Sequence, residues 1–562
     1  MNRTILSRVE KYSDIQGNKP AFTGLRFGID KREEDTITFG ELRDDARKIA
    51  AFLQYKQLKG ENIILLFDND TLFPRAFVGC MYAKAIPICL ETKSDRITSV
   101  AESANVKVII TKRNKVPDDV KNAVDKDIQW YCTEDILENC TYEFHEDEYN
   151  DDDIAYIQYT SGSVRWPKGV MVTHRNIMHN MEVLYRFYHN DDKTIGISWM
   201  PYHHNIGLVA YYLEPIYEGY HQYQMNPEEF IMNPYNYYKA ASDFKAQTTA
   251  LPNFAFAHSI KMVSKEQISG LDLSSLRNIG SGGESVDHEL VHRFLNWFAP
   301  ANLKRSVIGV AYGMSEHTML VSVNEYSEEN DRFKSVMADR RKLAEGIAEI
   351  TDDNENGVSF TSNGITGCGC KLIIVDTDTF AELGSDRLGE IWIKSQSVAK
   401  GYWNDPTETE KVFKAYTNNG EGPFLRTGDL GFIHDGELYI AGRYKEIIVI
   451  RGNNIYPLDV EESLRGIDAN LIDTRIIAFA ASDEKTKEEK LCIAAEVYDK
   501  DNINEDTFMK MREIISSNFQ ITADKIFVVP KDGLITTNSN KMKRNSLYTS
   551  FANGEIETIA VY

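Results

Sequence analysis

Apolar positions along this chain follow two rhythms that take turns. Leu42, Ala46, Ile49, Ala50 and Leu53 recur at helical spacing behind Thr38-Phe39-Gly40-Glu41, a capping-box pattern. They predict a helix to about Gln54. Gly60-Glu61 then turns into an apolar strand over 62–67, followed by a helix near 73–85. Further strands are predicted over 86–90 and 106–111. Short apolar strands separated by helices predict a doubly wound parallel α/β sheet. The end of the chain reads differently. Strands over 475–480, 491–497 and 526–529 surround one helix near 508–518, which predicts an α+β unit. At 562 residues the chain exceeds one core, so two or more domains are expected.

One stretch interrupts the α/β rhythm with chemistry. An alternating strand over 154–159 leads into Thr160-Ser161-Gly162-Ser163-Val164-Arg165-Trp166-Pro167-Lys168-Gly169, and a second strand leaves over 170–173. Small residues let backbone N–H groups approach an anion, and hydroxyls add donors. Lys168 adds a point charge, which suits a polyphosphate. An ordinary polar β-turn is the competing reading. No Gly-Lys-Ser/Thr opens a helix here, so this is not the P-loop of kinases and GTPases. Thr173 can cap a helix that begins near His174.

Further motifs follow in order. Trp199-Met200-Pro201-Tyr202-His203-His204-Asn205-Ile206-Gly207-Leu208 suits either a site wall or a buried aromatic turn. Leu251-Pro252-Asn253-Phe254-Ala255-Phe256-Ala257-His258 suits an apolar pocket wall or core packing. Asn278-Ile279-Gly280-Ser281-Gly282-Gly283-Glu284 reads as a strand end and a glycine turn. Ala311-Tyr312-Gly313-Met314-Ser315-Glu316 brings an aromatic and a carboxylate together. Arg426-Thr427-Gly428-Asp429 places a carboxylate after a turn, and Gly442-Arg443-Tyr444-Lys445 follows.

In order and spacing these motifs resemble the adenylate-forming superfamily of acyl-CoA synthetases, luciferases and peptide-synthetase adenylation domains. The chain is most similar to its fatty acyl-AMP ligases. The resemblance runs from about Thr38 to Arg544. It implies a large N-terminal adenylate-forming domain over 1–440 and a small mobile C-terminal domain over 441–562. It implies that ATP, Mg²⁺ and a fatty acid give acyl-AMP and pyrophosphate, and that an acyl carrier protein then takes the acyl group. By resemblance Thr160, Ser161, Gly162, Ser163 and Lys168 surround the β- and γ-phosphates. Tyr312, Gly282, Gly283 and Glu284, with Gly313, Met314 and Ser315, line the adenine side, and Asp429 and Arg443 hold ribose. Glu316 serves Mg²⁺, His204 takes the family's histidine position, and Lys541 takes the adenylation lysine. Lys445 aligns with the hinge. The chain departs from the pattern at Val164, Arg165, Asn205 and Asn540.

Between Val323 and Thr366 the chain is charged and broken, and reads as a surface excursion with one short helix. It sits where fatty acyl-AMP ligases carry an insertion that acyl-CoA synthetases lack. The rival readings are an acyl-CoA synthetase and an acyl-nucleotide-binding protein without turnover. The net charge of -22 disfavours nucleic-acid binding, and no run of about 18 apolar residues predicts a membrane span. The seven scattered cysteines fit free thiols in a reducing cytoplasm. Cys368-Gly369-Cys370 has the wrong spacing for a zinc knuckle and reads as a tight turn.

Overall fold

The computed structural model describes residues 4–28, 31–124, 127–159, 168–325, 332–353, 356–450, 453–482, 489–534 and 544–562. The capping box forms as read: Thr38 accepts from the Glu41 N–H, and Glu41 reaches back to the Thr38 N–H. The helix behind it runs Phe39–Tyr55 and buries Leu42, Ala46, Ile49, Ala50 and Leu53. Thr173 likewise caps His174–Tyr188.

The predicted doubly wound architecture divides into two sheets. One has six strands, in the order Gln129–Cys132, Val108–Thr111, Asn62–Leu66, Ile86–Cys89, Ile154–Tyr159, Gly169–Thr173. Its first five strands run parallel, and the last pair is antiparallel. The other has nine strands, with Ile308–Gly313, Asn278–Gly282, Thr248–Ala250, Ile195–Ser198 and His221–Gln224 parallel at its centre. A third, five-stranded antiparallel sheet runs from Lys371 to Arg443; the pattern predicts its strand near 388–393 and not the others. One continuous apolar core joins residues from Ile5 to Leu438.

A separate core begins at Ile448 and takes in Ile493, Met511 and Val528. It packs the helix Glu505–Phe519 on a four-stranded sheet, the α+β unit that the pattern predicts.

The charged excursion holds the expected short helix, Arg340–Ala344, capped by Asp339. It also holds a two-stranded ribbon, Ser335–Asp339 against Gly357–Thr361, which the sequence reading did not include. Ala338, Leu343, Ala348 and Val358 close over Phe432 and Tyr439 of the third sheet. Charged residues at both ends of the ribbon hide this alternation. Arg332 is buried and donates to Asn278 Oδ1 at 2.8 Å and the Asn324 carbonyl at 3.0 Å. On the outer side, Arg340 grips Asp459 of the C-terminal core with two nitrogens at 3.0–3.1 Å. Its guanidinium lies 5.1 Å from the Phe519 ring centre. Arg465 and Asp287 make a second bridge at 2.8 Å.

Glu214 is a carboxyl buried in the large domain. Asn190 Nδ2 and the Tyr220 hydroxyl each donate to it at 3.0 Å. Burial pushes its pKa up to about 8. The folded state therefore holds a proton that the unfolded chain releases near pH 4.5. Stability from this group is present below that pH and is lost as pH rises towards about 8. Glu214→Gln should flatten this slope. It should gain about 1 kcal/mol or more over the parent near pH 8, with no gain under acid conditions. Urea unfolding at the two pH values checks this.

Candidate active site

Open parallel sheets bind ligands beyond the carboxyl ends of their strands, and the motifs gather there. The strand Ile154–Tyr159 ends at the phosphate-loop motif, and Gly169–Thr173 returns beside it. Segment 399–403 fastens the return strand. Trp403 N–H donates to the Gly169 carbonyl at 2.7 Å, and Met171 N–H to that of Gly401 at 2.9 Å. Ala399 N–H donates to the Glu316 carbonyl at 2.9 Å. The carboxylate motif and the phosphate-loop strand are thus held by one segment.

Side chains repeat this link. The Tyr402 hydroxyl donates to Glu316 Oε1 at 2.8 Å. The Lys168 ammonium sits 4.7 Å from the Tyr402 ring centre and donates to Glu408 Oε1 at 2.9 Å. This pairing holds the Glu408 carboxyl below its ordinary value. Among the described residues nothing takes Glu316 Oε2. Behind Glu316 lies Thr318, whose φ of 66° is unfavourable for a β-branched residue. Its hydroxyl donates to the Ser397 carbonyl at 2.8 Å, which helps to hold this turn.

On the other side, the Tyr312 hydroxyl donates to Asp429 Oδ2 at 2.7 Å, and Arg443 Nε lies 3.3 Å from Asp429 Oδ1. Asp429 and Arg443 face each other across the pair Leu425–His434 and Glu437–Arg443. Tyr312 and Arg443, far apart in sequence, thus share one carboxylate. Gly313 is required by close packing, since a Cβ there would stand 2.0 Å from the Met319 carbonyl oxygen. Met314 N–H donates to that same carbonyl, and Thr318 N–H to the carbonyl of Ser315. Met314 and Ser315 therefore contribute the backbone of the turn that carries Glu316.

Gly282 is equally constrained, with a Cβ falling 2.3 Å from the Ala311 carbonyl oxygen. Gly283 has φ of 82°, which glycine adopts without penalty. The Ile206 Cδ1 atom lies 3.6 Å from its virtual Cβ, so the His204 motif meets the glycine turn here. His204 caps the short helix Asn205–Leu208 through Nδ1, which accepts from the Ile206 N–H at 3.3 Å. Gln158 Nε2 donates to the His203 carbonyl at 2.9 Å and ties this motif to the phosphate-loop strand. Glu284 Oε1 accepts from the Phe254 N–H at 3.4 Å.

Thr160, Ser161, Gly162, Ser163, Val164 and Arg165 lie outside the described residues, as do Asn540 and Lys541. Arg544 opens the helix that follows Lys541 in sequence and is part-buried. It donates to both Glu461 oxygens at 2.7 Å and lies 3.7 Å from Glu446, which follows Lys445.

Sequence reasoning missed Tyr402 and Glu408 as site residues. It also missed Arg96, which donates to the Tyr159 carbonyl at 3.2 Å. The pKa of His203 falls to about 3, first through burial and then through His204, Arg96, Lys93 and Lys115. Glu91 pairs with Lys93 and Arg96 there, and Asp68 with Lys115. No local signal marks Arg96, because the pairing of Ile86–Cys89 with Ile154–Tyr159 brings its helix beside Tyr159.

The family model for AMP-binding enzymes matches residues 9–403. A medium-chain-fatty-acid–[acyl-carrier-protein] ligase, JamA of Moorena producens, is 32% identical, covering 99% of this chain and 96% of its own. The long-chain-fatty-acid–AMP ligase FadD26 of Mycobacterium tuberculosis is 30% identical over 97% of this chain and 96% of its own. A solved fatty acyl-adenylate ligase from Legionella pneumophila, in complex with acyl adenylate and pyrophosphate, superposes with a TM-score of 0.76. It is 30% identical and covers 100% of this chain and 98% of its own. Among the described residues no helix is long and apolar enough to cross a membrane.

Proposed function

Because the chain belongs to the AMP-binding enzyme family, in its fatty acyl-AMP ligase branch, we propose that it activates a fatty acid with MgATP. The products are acyl-AMP and pyrophosphate, and the acyl group passes to the phosphopantetheine thiol of an acyl carrier protein. The observation that carries this reading is the meeting of Tyr312, Asp429 and Arg443 beside the Glu316 turn. An aromatic wall and a ribose-acceptor carboxylate adjoin a second carboxylate on the phosphate-loop side. The likeness to an acyl-carrier-protein ligase supports the second half of the reaction.

In the first step a carboxylate oxygen attacks the α-phosphorus. The bond from that phosphorus to the bridging oxygen breaks, and pyrophosphate leaves. Little covalent chemistry falls to the protein, so positioning and charge do most of the work. In this reading Thr160, Ser161, Gly162, Ser163 and Lys168 receive the outer phosphates. Lys541 reaches the α-phosphate and carboxylate. Asp429 exchanges its Tyr312 and Arg443 contacts for ribose hydroxyls, while Tyr312, Gly282, Gly283 and Glu284 border adenine. His204 borders the acyl carboxylate.

The residues fit Mg²⁺. Glu316 offers one carboxylate edge, and Mg²⁺ prefers phosphate and water oxygens with only one or two protein carboxylates. Bound there, the ion would neutralise phosphate charge. We place the division between a main and a mobile domain at 441, within the last strand of the antiparallel sheet, Glu437–Arg443, which precedes the second core. We place the reaction in the cytoplasm, which suits the seven free cysteines.

Pyrophosphate release, measured across saturated fatty acids with and without coenzyme A, tests the reading. Release that depends on fatty acid, with acyl transfer to a carrier protein and little free thioester, is expected. Abundant acyl-CoA would identify an acyl-CoA synthetase. Absence of release with every acid would point to a nucleotide-binding protein without turnover.

A further inference from the structure

The hairpin that carries Glu316 contains a backbone conformation that threonine rarely adopts. The strands Ile308–Gly313 and Leu320–Val323 pair antiparallel, with Gly313 opposite Leu320, so residues 314–319 form the whole connection. Ser315–His317 makes one turn of 3₁₀ helix, with Glu316 at its centre. Thr318 then reverses the chain at φ 66° and ψ −64°. Across it the Met319 N–H donates to the His317 carbonyl at 2.7 Å. Those angles and that bond make the rare, strained kind of γ-turn. Glycine would take this φ without penalty, whereas a β-branched side chain is strained there.

The side chain gives a reason for threonine here. Thr318 is 1% exposed, and its hydroxyl donates to the Ser397 carbonyl at 2.8 Å. Ser397 is itself fixed. Its hydroxyl lies 2.7 Å from His179 Nδ1 and accepts from Asn180 Nδ2 at 3.1 Å. Asn180 also holds the strand that follows the turn. It accepts from the Leu320 N–H at 3.2 Å and donates to the Leu320 carbonyl at 3.0 Å. Buried His317 places Nδ1 3.0 Å from that same carbonyl. Residues 397–402 thus meet the turn three times. Ser397 meets the Thr318 hydroxyl, Ala399 the Glu316 carbonyl, and Tyr402 the Glu316 carboxylate. Without its hydroxyl bond the turn is free to relax out of the strained angle, and Glu316 moves with it.

We propose that Thr318 is a positioning residue for adenylation. Its hydroxyl holds a strained turn closed, and the closed turn aims the Glu316 carboxylate. This deepens the ligase reading and rests on its assignment of Glu316 to Mg²⁺. Strained non-glycine residues persist only where their surroundings over-determine them, and they gather at sites where geometry serves chemistry. A turn built only to connect two strands needs no such residue, since glycine or asparagine closes a hairpin without strain. The carboxylate is set before ATP arrives, so the effect falls on the reaction and on metal-assisted ATP binding, not on the fatty acid.

The test compares Thr318→Ser, Thr318→Val and Thr318→Gly in the full chain. Serine keeps the hydroxyl. Valine keeps the branch and the strain but loses the hydroxyl. Glycine loses both. The thermal midpoint of the ligand-free protein should be at least as high for Thr318→Gly as for Thr318→Val, because glycine releases the strain. Acyl-AMP formation should follow the hydroxyl instead. Thr318→Ser should keep most of the parent rate. Thr318→Val and Thr318→Gly should lose roughly ten- to hundred-fold in kcat, with KM for the fatty acid unchanged. Calorimetric titration of ATP with and without Mg²⁺, in the absence of fatty acid, gives a readout apart from turnover. The gain from Mg²⁺ should shrink in Thr318→Gly and persist in Thr318→Ser. A Thr318→Gly protein that keeps the parent rate and the Mg²⁺ gain overturns the inference, as does one that melts below Thr318→Val. Should Thr318→Val fail to fold, Thr318→Ser against Thr318→Gly decides. If Glu316→Gln is slow and Thr318→Gly is not, only the positioning role falls. If Glu316→Gln keeps the parent rate, the assignment of Glu316 falls and takes this inference with it.

Discussion

Glu316→Gln should slow acyl-AMP formation by about a hundred-fold or more while the protein remains folded. Glutamine keeps the shape and an acceptor for the Tyr402 hydroxyl, which now donates to Glu316 Oε1 at 2.8 Å. What it removes is the negative charge opposite the phosphate-loop strand. Fixed groups aimed at developing charge in a water-poor site are worth about 10²–10³ in rate each. Tyr402→Phe gives the matched control. It leaves the carboxylate charged but unsteered, and should cost about ten-fold, in line with one lost hydrogen bond to a charged group. Raising MgATP should recover part of the Tyr402→Phe loss and little of the Glu316→Gln loss. Single-turnover measurement of acyl-AMP separates these effects. A Glu316→Gln rate within a few-fold of the parent would remove Glu316 from the site.

Local signals carried much of this fold into the sequence. Thr38 with Glu41 and Thr173 with Asn176 start helices through contacts three residues apart, so the pattern is visible in a short window. Strands such as Ile154–Tyr159 are buried apolar runs bounded by turns, and they too are legible. The candidate site was legible as motifs but not as bonds. Tyr402 meets Glu316 across 86 positions and Lys168 meets Glu408 across 240, and neither pairing leaves a periodic trace. Most of the third sheet and the excursion's ribbon were missed for a related reason. They are paired antiparallel, and the ribbon's strands are short and edged with charge, so alternation alone does not separate them from loops. The Trp199 motif was ambiguous between a site wall and a buried aromatic turn. Its Trp199 is buried.

Arg340→Ala should loosen the C-terminal unit and let coenzyme A become an acceptor. The excursion is fastened inward by Arg332 and outward by the Arg340–Asp459 pair, so it bridges the two cores. Burial raises the Asp459 carboxyl, and Arg340 opposes that rise. Removing the arginine leaves this carboxyl without its partner only while the units stay docked. Unpairing a buried ion costs about 3–5 kcal/mol. Undocking returns the carboxyl to water, so the cost falls on docking rather than on the fold of either core. That favours the undocked arrangement by a factor of about 10²–10⁴, enough to move a docked population to a mobile one. If thioester formation needs the small unit to rotate, a docked latch suppresses it, and Arg340→Ala should yield measurable acyl-CoA with acyl-AMP formation largely kept. Asp459→Asn should act in the same direction, and a double-mutant cycle should show the two changes to be strongly coupled. Faster proteolysis near 441–446 should accompany the change. A variant that is cut faster yet still refuses coenzyme A would separate mobility from acceptor choice. It would move the rejection to residues on the thiol's path, with Arg451-Gly452-Asn453-Asn454 the next segment to exchange.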